Sequence, residues 1–492
     1  MLRVVSLGVS TCAALMLAPF CVRTLGDRSY GLWTLVATLS TYYALLDLGL
    51  SGAVTRHLAA ALGKSDPDAC QEIVNTALVL YSVVGGLIFL VSGTVAAAGF
   101  MFFRVPSELW VFRRVVLIAG AGLAFSVPMR VFFGFLNASF RFDISAAIEI
   151  LVVLVRSACI VFLLRARFGI VALAWSHLAA ALMTLLLSAL WSRKVAGGLQ
   201  VGIHFFRWSR CRELLSYGSI SLVAQVADLL RFQVDGFVVA SFVGLAAVTH
   251  YNIAGSMAQY FISFMLAATG TLGPLFSQLE SGNQREHMLR VLRLSTRVAV
   301  GLAGFVGFEL IALGKPFIHR WMGPEYLDAY PALFALTLGF TIALCQTPSL
   351  QLLYGVSRHR LFAVFNSLEG ACNLVLSVVL VRHYGLLGVA LGTMIPMVLT
   401  KFLIQPWYVC KVMNISLAEY WQMMARAMLS TAAALVLPAL IALRYASPDY
   451  WTLVAVVIAS AVCFTIVEFV ALFRTEERAA ILMLLPKLEA RG

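Results

Sequence analysis

Apolar residues in this chain do not recur on one helical face; they run on for twenty or so positions at a time between short polar connections. About 20 such residues in an α-helix cross the ~30 Å of hydrocarbon in a bilayer. Fourteen runs reach that length: residues 4–22, 29–50, 73–103, 115–138, 144–164, 170–191, 214–243, 246–279, 291–314, 330–354, 361–381, 386–409, 422–443 and 451–473. Every backbone polar group inside lipid must bond within its own segment or a closed barrel, so runs of this length predict helices. The expected fold is all-α: a polytopic membrane protein of about 14 transmembrane helices.

Composition sharpens that picture. Of 492 residues, 61% are hydrophobic and 12% charged, against about 25% charged in a soluble domain. The net charge of +13 suggests nucleic acid only until the basic residues are located. They sit in the short connections, as the positive-inside rule requires. With the N-terminus inside, connections such as 193–212 and 285–297 hold about twice the Lys and Arg of the outer ones, which places both termini in the cytoplasm. Nine scattered cysteines without a paired spacing read as small apolar residues rather than a disulfide or metal framework.

Internal similarity recurs at one offset of 220 residues: Pro128 with Pro348, Glu149 with Glu369, and Ser157 with Ser377. The turn Phe168-Gly169-Ile170 is similar to Tyr384-Gly385-Leu386. Two parallel six-helix repeats result, at 1–195 and 214–412, joined by a cytoplasmic linker at 196–213; residues 413–492 add two C-terminal helices and a cytoplasmic tail. Proline removes a backbone donor inside a helix, so helix breaks are expected at Pro128 and Pro348, beside a midplane site.

Ionisable residues within spans cost about 2.5–3.5 kcal/mol or more at the bilayer centre and usually face a wet interior. On the seventh span Ser221, Gln225, Asp228, Arg231 and Asp235 share one face at about 100° per residue. Glu149 and Arg156 share a face of the fifth, and Asn366, Glu369, Asn373 and Ser377 form a stripe on the eleventh. Guanidinium forks match phosphate oxygens, so Arg130, Arg156 and Arg231 are the expected anion-binding residues. Asp47, Glu149, Asp228, Asp235 and Glu369 are the expected gating or ion-coupling residues. Lys401, Glu309 and Glu468 lie close enough to helix ends to be read as snorkelling to the interface. His177 is read as hydrogen-bonded to a neighbouring helix.

No Walker A loop, GxSxG, HExxH or cysteine–histidine cluster occurs. The expectation is therefore a protein that is not an enzyme, with no catalytic residue, no cofactor, no metal and no nucleic-acid partner. The chain also resembles a known family in Arg23-Thr24-Leu25-Gly26-Asp27-Arg28-Ser29-Tyr30-Gly31-Leu32-Trp33, in Leu45-Leu46-Asp47-Leu48-Gly49-Leu50 and in Asp235-Gly236-Phe237-Val238-Val239 followed by Tyr251-Asn252-Ile253-Ala254. These are similar to the polysaccharide transporter family, the O-antigen and exopolysaccharide flippases of the multidrug/oligosaccharidyl-lipid/polysaccharide exporter superfamily. The resemblance implies a V-shaped bundle, alternating access, and undecaprenyl-diphosphate-linked oligosaccharide as cargo. It also implies a bacterial inner-membrane location, membrane lipid as a partner, and a possible association with the polysaccharide polymerase and chain-length machinery. Asp47 and Asp235 carry over by motif position; Arg130, Arg156 and Arg231 rest on the charge argument alone. A drug or small-molecule antiporter of the same superfamily, a membrane glycan polymerase or ligase, and a non-transporting scaffold remain the alternatives.

Overall fold

A computed structural model of the chain describes residues 2–43, 50–63, 66–101, 106–139, 141–196, 200–215, 234–356, 358, 360–445 and 449–468. Two compact units emerge, Met1–Leu229 with Gly244–Thr249, and Leu230–Val243 with His250–Gly492. Among the described residues ten helices are long and apolar enough to cross a membrane, and Tyr450–Ile466 is a shorter apolar helix. Phe162 and Leu429 are 72% and 71% exposed on helix exteriors, a placement that water would penalise and lipid does not.

The first unit holds α1 (Leu2–Leu25), α2 (Asp27–Tyr43), α3 (Leu50–Gly63), α4 (Pro67–Ala98), α5 (Pro106–Ala138), α6 (Phe142–Arg165) and α7 (Val171–Val195). The second holds α8 (Asp235–Phe242), the larger part of α9 (Leu245–Thr269), α10 (Leu272–Ser281), α11 (Arg285–Trp321), α12 (Tyr330–Cys345) and α13 (Thr347–Gly355). Next comes Arg360–Leu399, which Gly385 at φ 55°, ψ −130° divides into α14 (360–384) and α15 (386–399). A π-helical turn, Thr400–Ile404, leads into α16 (Gln405–Met413), followed by α17 (Leu417–Ala434), α18 (Val436–Tyr445) and α19 (Tyr450–Ile466).

Three runs expected to be single spans are each two helices. They break near residues 270–271, at Gln346 and at Leu435. The helix α3 was not expected. At 14 residues it is too short to span, yet Leu50, Val54, Leu58 and Ala61 lie on one face and are buried. They meet Val74 and Tyr81 of α4 and Val131 and Phe135 of α5 in one apolar cluster. The repeat is visible in the backbone: Gly169 and Gly385, which match in sequence, both take left-handed conformations at φ 60° and 55°, where a side chain is strained.

The two matched prolines behave differently. Pro348 sits in the first turn of α13, after the break at Gln346, where its missing N–H costs nothing. Pro128 lies inside the single helix α5, so the break expected there is not present. A proline leaves the carbonyl four residues earlier without its intrahelical donor, here that of Ala124. Gly85 of α4 packs directly on that oxygen, and a Cβ at position 85 would lie 2.6 Å from it. The missing side chain lets one helix cover the carbonyl its neighbour leaves unbonded.

The stretch 200–215 is not a free connection. Gln71 and Gln200 exchange bonds, with Gln71 Nε2 donating to the Gln200 carbonyl at 2.8 Å and the Gln200 N–H to Gln71 Oε1 at 3.3 Å. Asn75 Oδ1 accepts from the Gly202 N–H at 2.8 Å, and Thr76 Oγ1 from the Arg207 N–H at 3.2 Å. Glu72 pairs with Arg207 and Arg210, and Glu213 with Arg210 and His57. The hydrogen bond it donates to Glu213, then the charge of Glu213 and the bond and charge of Glu72, hold the Arg210 guanidinium above its ordinary range against a smaller desolvation effect. Residues 208–215 form a helical turn pair whose Leu214 enters the α3–α4–α5 cluster.

This packing sets two expected outcomes. Gly85→Val is expected to destabilise the protein by about 1–3 kcal/mol, the usual cost of overpacking, while Gly86→Val, with nothing within 4 Å of its Cβ, leaves it unchanged; thermal unfolding in detergent compares them. Asn75→Ala removes the partner of the Gly202 N–H, so trypsin is expected to cut faster after Arg207, Arg210 and Arg212 than in the unaltered protein, read by fragment mass.

Candidate functional site

The first unit contains a cavity of about 260 Å³ between α1, α2, α6 and α7. On α1 most residues facing it are small: Ser10, Ala13, Ala14 and Ala18, beside Leu17 and Cys21, recur at the three- and four-residue spacing of one helix face. On α6, Val153, Arg156, Ser157 and Ile160 do the same, and Tyr30 and Trp33 of α2 close the wall. Arg156 brings the cationic group. Its Nε is buried and has no hydrogen-bond partner. A guanidinium presents five donors and cannot be deprotonated in a protein, so this arrangement leaves donor capacity directed at the cavity.

The neighbouring expectations separate. Glu149, two turns from Arg156 on α6, accepts from Ser6 Oγ of α1 at 2.9 Å rather than pairing with the arginine. Arg130 is half-buried on α5 and does not line the cavity. His177 is on α7 with its Nε2 buried and unbonded, not in the interhelical bond expected of it. Arg231, Asp228 and Asp47 lie outside the described residues.

In the second unit, the polar stripe of α14 is buried along its whole length, through Asn366, Glu369, Asn373 and Ser377. At one end Asp235, the first residue of α8, accepts from Tyr251 of α9 at 2.6 Å and from Thr393 of α15 at 2.8 Å, both through Oδ2. Ser377 donates to Asn373 Oδ1 at 2.9 Å. It also reaches the Val389 carbonyl across the Gly385 turn at 3.3 Å. The close approach of the two arms requires Gly392, whose Cβ would lie 2.2 Å from Ser377 Oγ. A carboxylate, three hydroxyls, an amide and a carbonyl on four helices make an all-oxygen donor set, the kind hard cations prefer.

At the other end Lys401 donates to Asn366 Oδ1 at 3.0 Å and stands 3.7 Å from Glu369 Oε2, with Phe362 beneath the ammonium at 4.2 Å from the ring centre. Lys401 occupies the π-helical turn. The extra residue in such a turn rotates the downstream positions around the axis, which carries this side chain inward. Lys401, Glu309 and Glu468 are only 4%, 9% and 6% exposed. None of the three snorkels. Length to the helix end was a poor guide, because the direction of each side chain is set by the helix packed against it. Lys401 is the residue missed in the sequence: nothing local to it marks Glu369, 32 positions earlier, as its partner.

Known proteins share this frame. The family described as Polysaccharide biosynthesis protein matches residues 3–280. The uncharacterized membrane protein EpsK of Bacillus subtilis is 24% identical over 82% of this chain and 81% of its own length. The putative O-antigen transporter of Shigella flexneri is 22% identical over 81% of this chain and 94% of its own. Among solved structures, the lipid II flippase MurJ in an inward closed conformation is similar with TM-score 0.69 at 13% identity, covering 96% of this chain and 99% of that one. An inward-facing multidrug resistance MATE family transporter of the MOP superfamily has TM-score 0.69 at 16% identity, covering 83% and 96%. The likeness to both structures is one of fold, that of an all-α polytopic membrane protein.

Breaking the buried pair tests its role in the fold. Removing one partner of a buried ion pair costs about 3–5 kcal/mol, whereas an apolar replacement of both is near neutral. Lys401→Met is therefore expected to lower the unfolding temperature sharply, and Lys401→Met with Glu369→Leu to restore most of it.

Proposed function

Because this chain belongs to the polysaccharide biosynthesis protein family, we propose that it is a flippase for lipid-linked oligosaccharide. Its cargo is the undecaprenyl-diphosphate-linked repeat unit of an O-antigen, capsule or exopolysaccharide, moved across the inner membrane by alternating access. The observation that carries this reading is Arg156, a permanently charged group with unused donors at a cavity among apolar helices. In such surroundings an uncompensated cation is costly, and an anionic ligand or water must supply what the protein does not. A diphosphate offers the charge and the acceptor oxygens a guanidinium fork fits. The aromatic faces of Tyr30 and Trp33 suit the apolar side of a sugar ring.

Within this reading Arg156 holds the diphosphate at the cavity, Arg130 and Arg231 are further anion-binding residues on its path, the sugars travel through water, and the polyprenyl chain stays in lipid. Ion coupling falls to Asp235 and Glu369 with Glu149, Asp228 and Asp47; the oxygen cluster around Asp235 is suited to taking a proton or a small cation. Both termini are cytoplasmic, the two six-helix halves at 1–195 and 214–412 do the transport, and the full count is fourteen spans. The polymerase and chain-length machinery are the expected protein partners. A drug antiporter of the same superfamily is the second reading, favoured by the likeness in fold to the MATE family transporter; an arginine directed at a cavity suits an anion better than a cationic drug.

Charged hydrogen bonds are worth about 1.5–3 kcal/mol, so Arg156→Ala is expected to weaken cargo binding roughly 10- to 100-fold and to abolish surface polysaccharide while the protein still inserts. Arg156→Lys should retain part of the activity. Unchanged polysaccharide in both Arg156→Ala and Arg231→Ala would remove the anion assignment. In proteoliposomes, flipping that ignores imposed H⁺ and Na⁺ gradients would remove the ion-coupling roles.

A further inference from the structure

One buried carboxylate in the second unit belongs to none of these pairs. Glu309 lies within α11, and neither of its oxygens has a hydrogen-bond partner. The other buried carboxylates there are answered: Asp235 by Tyr251 and Thr393, Glu369 by Lys401, and Glu468 by Arg297 at 4.0 Å and Ser430 at 3.4 Å. Its own helix cannot supply a cation. Arg297 is twelve residues away, about 18 Å along the axis, and Lys315 is six residues away, about 9 Å along and some 240° round the helix.

The surroundings of Glu309 are built in register. Arg297, Gly301, Phe305 and Glu309 recur every four residues on α11, and Ser460, Phe464 and Glu468 recur every four on α19 and its extension. Arg297 meets Glu468, Phe305 stacks on Phe464 at 4.9 Å, and Ser460 faces Glu309. The two rows run antiparallel and close on each other without an intervening layer. Small residues allow this: a Cβ on Gly301 would touch Phe464, Glu468 and Thr431, and one on Gly304 would lie 2.6 Å from Thr431 Cγ2 of α17. Ser460 is fully buried, and its hydroxyl, like that of Thr431, has no partner.

The titratable groups on the other elements packed against α11 are occupied or distant. Glu419 pairs with Arg293, Tyr420 bonds Ser349 and Gln346, and Tyr330 donates to the Ile311 carbonyl. Arg426 and Arg444 on α17 and α18 make no bond to Glu309. An ionised carboxylate in such a seam, with neither a cation nor two donors, is strongly disfavoured, whereas a neutral carboxyl brings its own donor and needs only an acceptor. Ser460, which faces Glu309, can supply that acceptor.

We propose that Glu309 and Ser460 form a proton-binding site that locks the C-terminal helices α17–α19 onto α11, separate from the arginine cavity of the first unit. The proton sits on Glu309 and is donated to Ser460 Oγ, leaving the serine hydroxyl free to point at Thr431 or a backbone carbonyl. When the proton leaves, the carboxylate must find water, and the seam between α11 and α19 opens.

The test uses the full-length protein in lipid nanodiscs. Infrared spectra at neutral pH are expected to show the carbonyl stretch of a neutral carboxylic acid in apolar surroundings. That band should be lost in Glu309→Gln and shifted to higher frequency in Ser460→Ala, where its hydrogen bond is gone. A cysteine pair replacing Phe305 and Phe464 should cross-link less at alkaline pH, and Glu309→Gln should abolish that dependence. A band unchanged in both variants, or cross-linking whose pH dependence survives Glu309→Gln, would overturn the site. If Glu309→Gln does not fold, Ser460→Ala decides alone, an unmoved band counting against the proposal. None of these readouts depends on transport, so they stand or fall independently of the flippase reading.

Discussion

Hydrocarbon does not solvate ions, and that constraint organises what lies inside these helices. Among the described residues, several intramembrane charges are met in one of a few ways. Lys401 and Glu369 answer each other, as do Arg297 and Glu468. Asp235 is held by two hydroxyl donors. Arg156 faces a cavity. The same constraint reaches the backbone, where the carbonyl that Pro128 leaves unbonded lies under Gly85. Unpaired polar groups cost the most where no water can reach them, so polar side chains and glycines here are placed as accurately as a soluble core places its large apolar residues.

The two units use polarity differently. In the first, a row of small α1 residues leaves space beside one arginine, and the space is the feature. In the second, the stripe on α14 is buried among its neighbours: Lys401 donates to Asn366, Ser377 to the Val389 carbonyl, and Tyr251 and Thr393 to Asp235. Residues 200–215 are tied by amide pairs and ion pairs to one end of α4, so the sequence-defined linker falls within the first unit.

Run length made the architecture legible in the sequence, because the thickness of the bilayer imposes it directly. The glycine turns at 169 and 385 were legible for a similar reason: left-handed backbone selects glycine. What was missed had no such external ruler. The helix α3 is shorter than a span and shows only an amphipathic face; the break at Gln346 was marked by Pro348 two residues on, whereas that at Leu435, with Pro438 three residues on, was not read. Among site residues, Arg156 and the α14 stripe stood out because ionisable and amide groups are rare in lipid. The pairing of Lys401 with Glu369 did not, because it depends on tertiary packing and on a turn whose hydrogen bonding no residue type announces. Pro128 and Pro348 match in sequence yet differ in place: Pro348 opens a helix, and Pro128 lies inside one whose neighbour Gly85 covers the carbonyl it leaves unbonded.

The π-helical turn at Thr400–Ile404 changes the phase of the helix that contains it. Upstream, Met394 and Met397 lie against Gly339 of α12; downstream, Gln405 reaches the Gln346 carbonyl and Tyr408 that of Arg358. One surplus residue between the two sets lets both face the same neighbours, although a uniform 3.6-residue winding would carry them out of step by about 100°. Such a defect is not pinned by covalent structure: it can slip along the helix one residue at a time, and each slip would swing a different side chain into the place that Lys401 now holds.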